Sequence, residues 1–166
     1  MSGHELAMAL RSAYLAMHRR TDALTARTGL TADQFVILAV LSEGRALTQR
    51  ELVARASSDP NTLRAMLVLL EGRGLIERKS HPTDGRARSV SLTRKGRSAF
   101  RKAWRKTDAF RIELTEVLSK DDVRSLVRQL RRLTAMINGD RAELSDSRGV
   151  MARPTSCTAT RAELEN

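Results

Sequence analysis

Apolar residues recur along this chain at two different periods, and the places where the period changes mark out its elements. From Glu5 to Thr28, Leu6, Leu10, Ala13, Met17 and Leu24 follow mixed three- and four-residue steps, while His18, Arg19, Arg20 and Asp22 fall outside the stripe. That spacing predicts an amphipathic helix, ended by Gly29 and packed either on its own domain or on a second subunit. Phe35, Leu38, Ala39 and Leu41 predict a more apolar core helix ending at Glu43-Gly44, and Leu52 and Ala56 a short third helix. Leu63, Met66, Leu67 and Leu70 stripe a fourth helix that stops at Glu71-Gly72-Arg73-Gly74. The period then shortens. Leu75 to Lys79 and Arg86 to Leu92 read as two strands of a hairpin around the turn-rich Ser80-His81-Pro82-Thr83-Asp84-Gly85. Helical spacing returns in one long helix after Gly96, carrying Phe100, Ala103, Trp104, Phe110, Leu114 and Leu118. A last helix carries Leu126, Leu130, Leu133 and Ile137 in heptad-like steps.

Capping residues sharpen the helix starts. Thr31 with Gln34, and Thr48 with Glu51, form capping boxes in which each side chain satisfies a backbone donor of the other residue. Ser119 caps the last helix. Ser58 or Asp59 can cap the fourth, with Pro60 at the first helical position, where a missing N–H costs nothing. A short capped helix, a tight Ser57-Ser58 turn and a second capped helix whose leading end shows Asn61, Thr62, Arg64 and Ala65 make a helix-turn-helix candidate. An ordinary helical hairpin with solvated ends fits the same pattern, and the adjoining hairpin shifts the balance toward nucleic acid. Its edges carry Arg78, Lys79, Arg86 and Arg88, and between Arg73 and Lys106 twelve Lys or Arg residues face two acids, Glu77 and Asp84. Asp84 and Gly85 are assigned a structural role in shaping the turn.

The whole chain of 166 residues carries a formal net charge of +11, which favours a polyanionic partner, with nucleic acid ahead of an anionic membrane surface. A single cysteine, Cys157, excludes an internal disulfide and a CxxC-type zinc site, and His4, His18 and His81 are too scattered to suggest a metal centre. No metal and no cofactor are expected. The absence of an apolar run of about 18 residues and of a signal-peptide core makes the cytoplasm the expected location, with no membrane partner. A Gly-rich phosphate loop, a ligand cluster and a Ser/His/Asp spacing are all missing, so the chain reads as a non-enzyme. A winged-helix module for protein contacts, a non-specific nucleic-acid binder and membrane attachment through Arg94 to Lys106 are the rival readings. Apolar seams at both chain ends favour an intersubunit bundle, because a reader with one short helix gains by duplication across two half-sites. Leu6, Leu10 and Met17 from the first helix, and Leu126, Leu130, Leu133 and Ile137 from the last, are the candidate dimer contacts. From Ser145 onward periodicity is lost, predicting a flexible tail over 145–166.

These motifs, in this order and spacing, resemble the MarR (multiple antibiotic resistance regulator) family of winged helix-turn-helix repressors. The resemblance spans about Glu5 to Ile137. It rests on Leu47-Thr48-Gln49-Arg50-Glu51-Leu52, Asp59-Pro60-Asn61-Thr62-Leu63, Leu69 through Arg78, Asp84-Gly85-Arg86-Ala87-Arg88 and Leu92-Thr93-Arg94-Lys95-Gly96. The fold expected is mainly α with a small β wing. An N-terminal dimerisation helix would cover 1–28, a winged helix-turn-helix domain 29–95 and C-terminal dimerisation helices 96–144. The resemblance implies a homodimeric repressor on a palindromic operator, with the Asp59 helix in the major groove of double-stranded DNA and Arg86 in the minor groove. The DNA-contacting set is then Thr48, Gln49, Arg50, Ser58, Asp59, Pro60, Asn61, Thr62, Arg64, Ala65, Arg78, Lys79, Arg86 and Arg88. It also implies release by a small aromatic or anionic effector bound between the dimerisation and DNA-binding regions. The apolar run Met66 to Leu70 covers too much of the helix circumference to be all core, so Val68 or Leu69 is expected to line a cavity or a partner surface.

Overall fold

A computed structural model describes residues 2–80 and 88–139. The chain divides into two compact units, Met1–Leu114 and Thr115–Asn166. In the first, α1 (Gly3–Thr25) opens with a capping box between Ser2 and Glu5, then tightens into a 3-10 turn over Ala26–Thr28 that Gly29 closes in the left-handed conformation, φ 72°. Helix α2 (Ala32–Leu41) starts at the Thr31–Gln34 capping box and ends at Leu41, before the expected Glu43-Gly44, because the Ser42 N–H already turns back to Leu38 and Ala39. Asp22 of α1 helps hold the join, its Oδ1 accepting the Ala32 N–H at 2.5 Å, while the buried Thr25 hydroxyl donates to the Leu30 carbonyl at 2.8 Å.

A two-residue strand absent from the periodicity follows: β1 (Leu47–Thr48) precedes α3 (Gln49–Ala56). Helix α4 (Pro60–Gly72) then leads through Gly74, at φ 67°, into β2 (Ile76–Ser80), and β3 (Arg88–Leu92) returns antiparallel to it. Strand β3 lies between β1 and β2, with Leu47 opposite Val90 and Ile76 opposite Leu92. Leu38, Leu47, Leu52, Leu63, Leu67, Leu70 and Val90 form the centre of the core, each at most 1% exposed. The apolar stripe read from the sequence is therefore the buried face of α4.

The single long helix expected after Gly96 is two. α5 (Arg94–Lys106) and α6 (Asp108–Glu116) break at Thr107, whose backbone leaves the helical region at φ −96°, ψ 2°. Its buried hydroxyl donates to the Trp104 carbonyl at 3.0 Å, so the break leaves that side chain satisfied. Leu118 lies beyond the end of α6. In the second unit, α7 (Lys120–Asn138) is capped by Ser119 and ended by Gly139 at φ 75°. Along it Leu126 and Ile137 are exposed and Leu130 and Leu133 half-buried. The expected tail over 145–166 lies outside the described residues.

Candidate nucleic-acid interface

Local capping aims the two helices of the motif. Thr48 donates from its N–H and its hydroxyl to the Glu51 carboxylate at 2.8 and 2.9 Å, and its oxygen accepts the Glu51 N–H at 3.2 Å. These bonds, the Thr48 N–H foremost, hold the Glu51 carboxyl below its ordinary value. Asp59 Oδ1 accepts the N–H groups of both Asn61 and Thr62 at 2.9 Å, and the Thr62 N–H is the main cause of its lowered pKa. The turn between α3 and α4 passes through Ser57 at φ 48°, the one non-glycine residue with positive φ among the described residues. With Leu63, Leu67 and Leu70 buried, Asn61, Thr62, Arg64 and Ala65 of α4 are left exposed.

Pairing of Thr48 with Ser89 ties the start of α3 to the hairpin, and a cleft of about 510 Å³ opens between them. Thr48, Gln49, Arg50, Arg64, Arg78, Arg88 and Val90 line it, so the fold gathers six of the residues expected to contact DNA into one basic groove beside the α4 tip. Arg50, Arg64 and Arg88 form no ion pair among the described residues. Arg78 is different: its Nε donates to Glu71 Oε2 at 2.8 Å and its terminal nitrogen forms an ion pair with the same carboxylate. The pairing raises the Arg78 pKa and lowers that of Glu71, so much of this arginine's charge is answered within the chain. Lys79 is likewise paired, with Glu77 at 3.0 Å, and lies outside the cleft lining. Ser58, Asp59 and Pro60 sit at the turn and cap of α4. Asp84, Gly85 and Arg86 lie outside the described residues.

A second cavity of about 600 Å³ lies between α1, α2, the α3–α4 turn and the α5–α6 break. Tyr14, Phe35 and Phe110 give it aromatic walls, while His18 and Arg111 add nitrogen donors. His18 bridges two carboxylates, its Nδ1 3.3 Å from Asp22 and its Nε2 3.3 Å from Asp33. The Arg111 guanidinium stacks 3.5 Å over the Trp104 ring and donates to Asp108 at 2.7 Å. Ser58, Asp59 and Thr62 belong to the wall of this cavity and not to the lining of the basic cleft. Neither the cavity nor its polar groups could be read from spacing, since they come from separate helices. The placement of aromatics in a chain with only 3% of them was the available signal. Val68 and Leu69 line neither site. Among the described residues no single helix is long and apolar enough to cross a membrane.

Comparison with known proteins converges on one family. A model described as the MarR family matches residues 30–87. An HTH-type transcriptional repressor of Mycobacterium tuberculosis is 35% identical over 75 residues, which cover 45% of this chain and 54% of that protein. The chain thus spans about half the length of the curated relatives it matches first. Among solved structures, the M. tuberculosis regulator MosR in complex with DNA superposes with a TM-score of 0.69 at 29% identity, covering 81% of this chain and 97% of that one. A mutant MarR from E. coli complexed with operator DNA gives a TM-score of 0.70 at 26% identity, covering 78% and 93%.

Proposed function

We propose that this chain, which belongs to the MarR family, is a sequence-specific DNA-binding transcriptional regulator acting as a homodimeric repressor. The observation that carries the reading is the capped α4 tip beside a groove holding Arg50, Arg64, Arg78 and Arg88. A helix fits the width of the major groove, short side chains at its start allow close approach to base edges, and guanidinium groups beside it meet phosphates. In this assignment residues 29–95 bind double-stranded DNA, with Arg86 entering the minor groove. Residues 1–28 and 96–144 dimerise. Support for the dimer is that α1 leaves Leu6, Met8 and Met17 exposed in a single chain, more apolar surface than a solvated helix needs.

The second cavity is the proposed effector site. The aromatic walls of Tyr14, Phe35 and Phe110 suit a small aromatic molecule, and because the cavity borders Asp59 and Thr62, its occupation would bias the aim of α4. The expected cellular location is the cytoplasm, where its operator would be.

Selection of bound sequences from a random duplex pool at near-physiological salt tests this reading. An enriched palindrome with half-sites about 34 Å apart is the expected outcome for a two-fold dimer. Binding that depends on salt but enriches nothing would overturn sequence-specific regulation and leave a basic winged helix serving another partner.

A further inference from the structure

The outward face of α4 changes character along its length. Asn61 and Thr62 are polar at the tip, whereas Ala65, Val68 and Leu69 form an apolar strip further along. Val68 is 54% exposed and Leu69 58%, although Leu63, Leu67 and Leu70 of the same helix are fully buried. The cations do not share this strip: Arg64 turns to the flank, where Arg50, Arg78 and Arg88 complete the basic cleft. Val68 and Leu69 therefore leave apolar surface free on the face that continues from the polar tip.

We propose that Ala65, Val68 and Leu69 read thymine, by packing against the C5 methyl groups in the major groove, and so set part of the operator sequence. The inference rests on the DNA-binding reading above and deepens it. Thymine is the base that presents an apolar group in the major groove, and side chains without donors or acceptors discriminate there only through it. The spacing fits. Asn61 and Leu69 are eight residues apart, about 12 Å along a helix axis, or roughly three and a half base-pair steps at 3.4 Å. With Asn61 on an adenine, Ala65, Val68 and Leu69, four to eight residues on, fall on bases roughly two to four pairs away, while the flanking arginines meet the backbone. A protein partner is the competing occupant, but two exposed side chains are far below the area a stable interface buries.

The experiment uses the full chain and the operator recovered by selection, with each thymidine replaced singly by deoxyuridine, which deletes only the methyl. Affinity should fall about fourfold for each contacted methyl, the equivalent of ~0.8 kcal/mol per buried carbon. Val68→Ser and Leu69→Ser, both at exposed positions, should bind the natural operator more weakly and become indifferent to deoxyuridine at those same sites. Their response to changes under Asn61 should be retained. Wild-type indifference to every deoxyuridine, or serine variants as sensitive as wild type, overturns the proposal. So does a change in oligomeric state without a change in the deoxyuridine response, which would assign the strip to a protein contact. A pool that enriches no sequence refutes the DNA-binding reading itself, and this inference with it, before any thymidine is replaced.

Discussion

Replacing Gly96 with alanine tests how α5 is seated against the base of the hairpin. Ordinarily Gly→Ala within a helix is favourable by ~0.5–1 kcal/mol, because alanine loses less backbone entropy. Here a Cβ would stand 1.8 Å from the Leu75 carbonyl oxygen and 2.8 Å from its carbon, both backbone atoms that no rotamer change can move aside. Ordinary contact begins near 3.4 Å, so α5 would have to withdraw by about 1.6 Å. That withdrawal would stretch the Thr93 N–H bond to Leu75 (3.1 Å), the Thr93 hydroxyl bond to Gly74 (2.7 Å) and the Lys95 bond to the Arg73 carbonyl (2.7 Å). It would also loosen Ala103 and Phe100 against the core. Overpacking of this kind costs ~1–3 kcal/mol and the weakened hydrogen bonds ~1 kcal/mol each, so the net loss should be about 3–5 kcal/mol. For a chain of this size each kcal/mol lowers Tm by roughly 2–4 °C, which places the expected drop at roughly 6–20 °C. Thermal melts followed by circular dichroism, with urea titration at fixed temperature, would measure it. An unchanged or higher Tm would refute the close approach, since helix propensity alone pushes in that direction.

Three other substitutions have defined outcomes. Glu71→Gln should free Arg78 for phosphate, strengthening DNA binding at low salt and steepening the log–log salt dependence by up to ~0.9, as read by fluorescence anisotropy; weaker binding would mean that Arg78 works only when held. Because the folded-state pKa of Glu71 lies below its ordinary 4.5, its pairing contributes fully above that pH and is lost as pH falls through the lower folded value. The stability gap between wild type and Glu71→Gln should therefore close under acid denaturation below pH 4.5 and stay constant above it. Thr48→Ala should cost ~1 kcal/mol in urea unfolding by removing the cap of α3, and a loss near zero would show that Glu51 holds the turn alone. Arg88→Ala should weaken binding to all sequences alike and lower the salt slope by ~0.9, whereas a changed base preference would assign it to readout.

Much of the architecture follows from short stretches of sequence. Thr31, Thr48, Asp59 and Ser119 each cap the helix expected of them, because a cap is made within three residues of chain. Leu63, Leu67 and Leu70 are buried as their spacing requires, and Gly29, Gly74 and Gly139 take the left-handed conformation at or near a helix end. Other features needed partners remote in the chain. Two residues, Leu47 and Thr48, carry too little pattern to reveal a strand, which exists because Val90 and Ser89 pair with them. Arg78 looked like a free cation until β2 brought it beside Glu71. The break at Thr107 and the cavity joining Tyr14, His18, Phe35 and Arg111 depend on how four helices meet. Gly96 reads as a helix lead-in, yet its use is the contact with Leu75, some twenty positions earlier. Hydrogen bonds and periodic burial within a few residues are encoded where they act. Cavities, ion pairs and close backbone approaches are set by distances in space that linear spacing does not record.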